Sequence, residues 1–363
     1  MGLRIAGIVV FAAAGCCAAG CALRPPADTY AAAPPARLAA ERPIAVVGDL
    51  QMTSRYVRFL LRRESNIVEQ KLLIEDLHAR AHELEALVIV GDLVFSPASR
   101  AHWRHFDGLV GPIARKTAVL PAIGNHDYYC VLVQRCMQRV VPQNFLRRFP
   151  WFAPGRPYTV EYGDVMLAFL DSETNLAGQG AWLELRLREW EAAYSAVVVF
   201  LHRAPFTESV TRGMRADAAV QAHIAARLTG TSLVPVVVAG HIHGYEHLVI
   251  DGVHYVTTAG GGGPRGLLGA DRPHDVYAGR DCARDAYGRV RRPYNYVLIE
   301  RRDDVLAFTV RGFCRGDGEI DVVESFDVAL PAIAAARAEA YHGRDARGLQ
   351  GSFGPRARHG TTH

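Results

Sequence analysis

Five short stretches each end an apolar run on a residue able to bind a metal ion. They are Gly48-Asp49-Leu50-Gln51 after residues 44–47, Gly91-Asp92 after 87–90, Gly124-Asn125-His126-Asp127 after 119–123, His202 after 197–201, and Gly240-His241-Ile242-His243 after 236–239. Carboxylates, amide oxygens and imidazoles are donors for divalent ions. One such stop means little, because a Gly-Asp after a strand is ordinarily a turn and a single histidine is ordinarily satisfied by a hydrogen bond. Five of them delivered to one rim could hold two ions about 3.5–4 Å apart on a shared carboxylate and acidify a water between them.

The elements that must position these residues follow from the pattern between them. Short apolar, β-branched runs predict buried strands. Residues 54–80 carry Leu60, Leu61, Ile67, Leu72, Leu73 and Leu77 at helical spacing and link the Asp49 and Asp92 strands as a βαβ unit. A helix over 98–110, closed by Pro112, leads to the 119–123 strand. The proline- and aromatic-rich stretch 128–157 predicts an irregular cap. Strands at 158–162 and 165–170 form a hairpin about Gly163-Asp164, and helices at 181–194 and 215–228 precede the His202 and His241 strands, resuming the alternating pattern.

Beyond His243 antiparallel strands are expected. Residues 248–250 and 254–258 flank Asp251-Gly252, a strong two-residue turn, and further strands are expected at 294–300, 305–310 and 320–328. The fold class is α/β: a four-layer α/β/β/α sandwich of two mixed β-sheets flanked by helices. Its domain is expected to span 43–330, followed by a C-terminal helix and disordered tail at 331–363.

The N-terminus carries Arg4, a short apolar run and two sites, Ala13-Ala14-Gly15-Cys16 and Ala18-Ala19-Gly20-Cys21, that resemble a lipoprotein cleavage box. Residues 1–21 are therefore expected to be a signal peptide, with Cys16 or Cys21 lipidated, and the alanine- and proline-rich 22–42 a flexible, disordered tether. The expected location is periplasmic or cell-surface, anchored to the membrane by lipid. Four cysteines then remain, Cys130, Cys136, Cys282 and Cys314, for which three disulfide pairings are open and four free thiols are the alternative. Against 37 acidic residues stand 41 basic ones, a net charge of +4, with the arginines scattered. This excludes a nucleic-acid-binding stripe and leaves a small anionic substrate as the expected partner.

In order and spacing, the five stretches resemble the calcineurin-like metallophosphoesterases, over roughly residues 44–247. His202-Arg203-Ala204-Pro205, Gly244-Tyr245-Glu246-His247 and the glycine run after Thr258 are most similar to the purple-acid-phosphatase-like branch. The resemblance implies that Asp92 bridges two metals. It implies that Asp49, Gln51 and His243 complete one site and Asn125, His202 and His241 the other. His126 would touch substrate and protonate the leaving oxygen, with Asp127 orienting it, and Arg203 could grip a phosphate oxygen bidentately.

The implied activity is hydrolysis of phosphate monoesters by a metal-bridging hydroxide. The alternatives are a phosphodiesterase or nucleotide diphosphatase with the same site, and a non-catalytic surface lipoprotein stapled by metals. Two departures from the family pattern bear on the metal. Gln51 stands where histidine or glycine is usual, resembling manganese-dependent diphosphatases and favouring manganese or iron over zinc. Phe95 replaces the tyrosine that colours purple acid phosphatases. Asp171 and Glu173 are expected to be loop carboxylates, the glycines at 260–263 a flexible rim loop, and His254 and His274 structural or solvent-facing.

Overall fold

The computed structural model describes residues 29–52, 64–128, 143–258 and 260–331. Two mixed sheets pack face to face. One has seven strands in the order β1 (Arg37–Leu38), β5 (Tyr158–Tyr162), β6 (Val165–Phe169), β7 (Ala196–Phe200), β8 (Val234–Ala239), β10 (Val253–Thr257) and β9 (Glu246–Ile250). The other has six: β15 (Asp321–Ala329), β14 (Val305–Phe313), β13 (Tyr294–Arg302), β2 (Ile44–Val47), β3 (Ala86–Val90) and β4 (Ala118–Ala122). β11 (Ala283–Arg284) and β12 (Val290–Arg291) form a small ribbon apart from both.

Alternation along the strands builds the layers. Ile44, Val46, Val88 and Val90 of the six-stranded sheet face Leu167, Phe169, Val198, Phe200 and Val238 of the seven-stranded sheet in the central core. The residues between them point outward. Ala45, Val47, Leu87 and Ile89 pack on Leu73 and Leu77 of helix α1 (Ile67–Arg80) and on Trp103, Phe106 and Val110 of α2 (Arg100–Ala114). Met166, Ala168, Val197, Val199 and Val237 pack on Leu183, Leu187 and Trp190 beyond the other face. Both faces of each sheet are thus covered, and the four-layer α/β/β/α sandwich follows.

Several boundaries differ from expectation for identifiable reasons. α2 runs past Pro112 to Ala114: the proline has no N–H to give the carbonyl one turn back, but Arg115 N beyond it closes the helix on Gly111 O. The helix before β7 spans Leu176–Trp190, starting five residues earlier than expected. A Cβ at Gly180 would lie 2.2 Å from the carbonyl oxygen of His223, so glycine there lets the helix press against the short π-helical turn Gln221–Ala225. The 251–252 turn forms as expected, with φ positive at both residues (51° and 78°). However, β10 also pairs parallel with β8, so the parallel pattern continues past His243.

The expected tether is corrected in its described part, 29–42, which is packed on the domain. Tyr30 stacks on Phe106, its hydroxyl donates to Asp107, and β1 pairs with β5. Cys282 and Cys314 form a disulfide across 32 residues, one of the pairings left open by the sequence. Residues 1–28, Cys130 and Cys136, and the expected C-terminal helix lie outside the described residues. Among the described residues no helix is long and apolar enough to cross a membrane.

Candidate metal centre

β2, β3 and β4 are parallel neighbours, as are β7 and β8, and the carboxyl ends of all five meet at one rim. Asp49, Asp92, His202 and His241 each stand two residues beyond their strand, and Asn125 three beyond its own. The chain must turn sharply there. Asp49, Asp92, His241 and His243 all take positive φ (53°, 53°, 74° and 53°), which costs roughly 1–3 kcal/mol for each such residue and is tolerated where function holds it.

Close approach is set by glycine. A Cβ at Gly124 would lie 2.3 Å from Asp92 Oδ1, and one at Gly91, itself at φ 86°, would lie 2.6 Å from His202 Nδ1. The glycine run at 260–263 does similar work and corrects the reading of it as a rim loop. Gly263 N donates to Asp49 O, and a Cβ on Gly263 would strike the His243 ring at 2.2 Å.

The sequence-selected residues converge. One atom each of Asp49, Asp92 and His202 lie within 4.8 Å of one another, all buried. His243 Nε2 is 3.1 Å from Asp49 Oδ1 and 3.1 Å from Gln51 Nε2, which donates to Asp92 Oδ2 at 3.2 Å. On the other side His202 Nε2 lies 3.4 Å from Asp92 Oδ1, 3.1 Å from Asn125 Oδ1 and 3.2 Å from His241 Nδ1. Asp92 therefore sits between two groups of donors.

The imidazoles are oriented from behind. His202 Nδ1 meets the Val90 carbonyl at 2.9 Å and His243 Nδ1 the Pro264 carbonyl at 2.9 Å, which turns each Nε2 lone pair inward, as outer partners of metal ligands do. Burial raises the Asp92 carboxyl, but the His202 and His126 charges outweigh it and hold it well below the usual carboxylate range. Burial opposes charge on His202 too, yet Asp92 and Asp49 hold its pKa up at about 10. Burial, with His202 and Arg203 nearby, pushes His241 well down.

These residues fit a pair of divalent ions. Asp49 Oδ1 and Gln51 Oε1 are buried without a hydrogen-bond partner. A half-turn of the Gln51 amide exchanges Oε1 for Nε2, bringing an oxygen to the place between Asp92 Oδ2 and His243 Nε2. Two anions, two amide oxygens and three imidazoles make a hard, mixed donor set.

His126 stands beside this cluster, half-exposed. Its backbone N–H donates to Asp92 Oδ1 at 2.8 Å, its Nδ1 meets the Phe95 carbonyl at 3.0 Å, and its ring lies against Phe95 with centroids 4.8 Å apart. Two expected roles are corrected. Asp127 accepts from Gly124 N (3.0 Å) and Val94 N (3.3 Å), bracing the loop, while the Phe95 carbonyl orients His126. Arg203 spends its fork on Glu173, at 2.5 and 3.2 Å, and is not open for a bidentate phosphate grip. Glu173, expected only as a loop carboxylate, is the partner of Arg203. Its only signal is that Asp171-Ser172-Glu173 is another acidic stop just after a strand.

Asp171 does organise a loop, accepting from Tyr128 Oη, Gly155 N and Glu173 N. His254 is structural, stacked on Phe326, and His274 is exposed.

The family model of the calcineurin-like phosphoesterases matches residues 42–245. The chain belongs to that family. Among curated proteins none matches this sequence. Solved structures share the fold at low identity. A purple acid phosphatase from yellow lupin (Lupinus luteus) seeds is 14% identical, with a TM-score of 0.58 over 79% of this chain; the match spans 53% of the lupin chain, about half its length. GAP50, the anchor in the inner membrane complex of Plasmodium, is 11% identical with a TM-score of 0.53, covering 83% of this chain and 94% of its own. A dimetal phosphatase from Danio rerio is 13% identical with a TM-score of 0.50, covering 80% of this chain and 99% of its own.

Proposed function

We propose that this phosphoesterase hydrolyses small phosphate monoesters with two divalent ions held around Asp92. The observation that carries this reading is the convergence of Asp49, Asp92 and His202 within 4.8 Å, with Gln51 Oε1 buried and unpartnered beside them. Asp49, Gln51 and His243 would hold one ion and Asn125, His202 and His241 the other, with Asp92 shared. When bound, such a pair supplies Lewis acidity toward phosphoryl oxygens and acidifies water near neutral pH.

The chain's own residues do the rest. His126 binds at the rim with Nδ1 committed to the Phe95 carbonyl, so the proton it gives is on Nε2. That proton serves the departing alkoxide. Val90 and Pro264 carbonyls keep the His202 and His243 rings from rotating as charge develops.

Gln51 favours a second reading on the same site, a diester or diphosphate substrate, and it also supports manganese or iron over zinc through its hard amide oxygen. Purified full chain with manganese, assayed on p-nitrophenyl phosphate and on its bis-ester, separates these readings. We expect monoester hydrolysis to dominate and EDTA to abolish it; activity on neither ester with two ions bound overturns both. We further propose export with a lipid anchor, a reading the Cys282–Cys314 disulfide supports because disulfides persist outside the reducing cytosol. Radiolabelled palmitate should enter the wild type and fail to enter a variant lacking Cys16, Cys17 and Cys21.

A further inference from the structure

We propose that Glu173 is a positioning residue that holds Arg203 as a phosphate-binding arm. The proposal rests on the phosphoesterase reading above. Glu173 is fully buried at its side chain, whereas Arg203 is about a quarter exposed at the rim, one residue from His202. The carboxylate takes the guanidinium side-on: Nε to Oε1 at 2.5 Å and Nη2 to Oε2 at 3.2 Å. Asp217 adds a second negative charge 3.8 Å from Nε. Side-on pairing consumes one hydrogen on Nε and one on Nη2, and Nη1 with its two hydrogens is turned toward the cluster.

Nη1 lies 3.2 Å from His241 Nε2. The opposite nitrogen, Nδ1, faces His202 Nε2 and the metal donors at 3.2 Å. Glu173 thus anchors Nε and Nη2 and leaves Nη1 aimed at the cluster. A guanidinium nitrogen fixed at the rim, carrying free N–H groups and full charge, is a monodentate site for a non-bridging phosphate oxygen. This differs from a free bidentate clamp, because the second edge of the fork is already spent.

The test uses the full chain loaded with manganese, with inorganic phosphate as the probe in calorimetry and p-nitrophenyl phosphate as substrate. Glu173→Gln and Arg203→Lys should each keep two ions per chain and weaken phosphate about tenfold, with KM rising in step and kcat changing less. The double variant should bind phosphate no more weakly than Arg203→Lys alone, since Glu173 acts through Arg203. Unchanged phosphate affinity in both singles, or loss of the ions in both, overturns the proposal. If phosphate binding follows Glu173 and Arg203 but no ester is hydrolysed, the hydrolase reading falls and this one stands.

Discussion

At the scale of single residues, Asp92 and His126 separate binding from chemistry. Asp92 faces both donor groups with its side chain, through Oδ2 to Gln51 and Oδ1 to His202. Asp92→Asn removes the shared anion while keeping shape, so metal content should fall from two ions per chain to one or none by elemental analysis. Hydrolysis should fall on the order of a thousandfold or more, as several kcal/mol of charge stabilisation are lost. Full metal content in that variant would contradict the bridging role. His126 contributes its ring only at the rim, so His126→Ala should keep the ions. Its kcat should fall roughly 10²–10⁴-fold on an alkyl phosphate, whose leaving group needs a proton. On p-nitrophenyl phosphate, whose leaving group departs as a stable anion, the loss should be much smaller; equal losses on both would rule out a proton-donor role.

At the scale of elements, the site is built by strands that stop and loops that are pinned, and one pin is titratable. Glu246, at the start of β9, is buried, and its carboxylate accepts from the Thr207 hydroxyl and from Glu208 N, holding the loop after His202. Burial pushes its pKa up to about 8 against those two hydrogen bonds. Between the ordinary carboxylate value and about 8 the folded chain keeps a proton that the unfolded chain has lost, so stability declines as pH rises through that window. Glu246→Gln mimics the protonated form. The gap in melting temperature between variant and wild type should therefore widen in the variant's favour from pH 5 to pH 8; a constant gap would show that Glu246 does not titrate there. Much at this scale was legible in sequence, because an apolar run with an abrupt polar stop marks both strand and ligand, as at Asp49, Asp92 and His202. What was not legible depends on distant partners. The 251–252 turn announces β9 pairing with β10 but says nothing of β8 on the other side. Tyr30 looked like part of a tether because Phe106 and Phe149, which cover it, lie far along the chain. The use of Gly263 needs the His243 ring in view, and Glu173 needs Arg203.

At the scale of the whole molecule, the two sheets meet in an apolar core but also in the candidate metal centre, and the two contacts differ in sign. The core drives the sheets together without regard to the rim. At the rim the six-stranded sheet contributes Asp49, Asp92 and Asn125, and the seven-stranded sheet contributes His202, His241 and His243. There the chain holds four candidate ligand residues at positive φ and buries two carboxylates together. Ions bound at the rim in the folded state alone would offset those costs. An ion at a hundred times its dissociation constant stabilises the fold by about 2.7 kcal/mol, and two sites add. For a domain of this size that is a rise of roughly 5 °C or more in melting temperature. Stripping the full chain with EDTA should therefore lower its calorimetric melting temperature, and manganese should restore it in a concentration-dependent way. Asp92→Asn should show little response to either, because it lacks the shared ligand that couples the sheets through the ions. A wild-type melting temperature indifferent to manganese would mean that the rim residues are satisfied by one another and that the sheets are joined by their apolar faces alone.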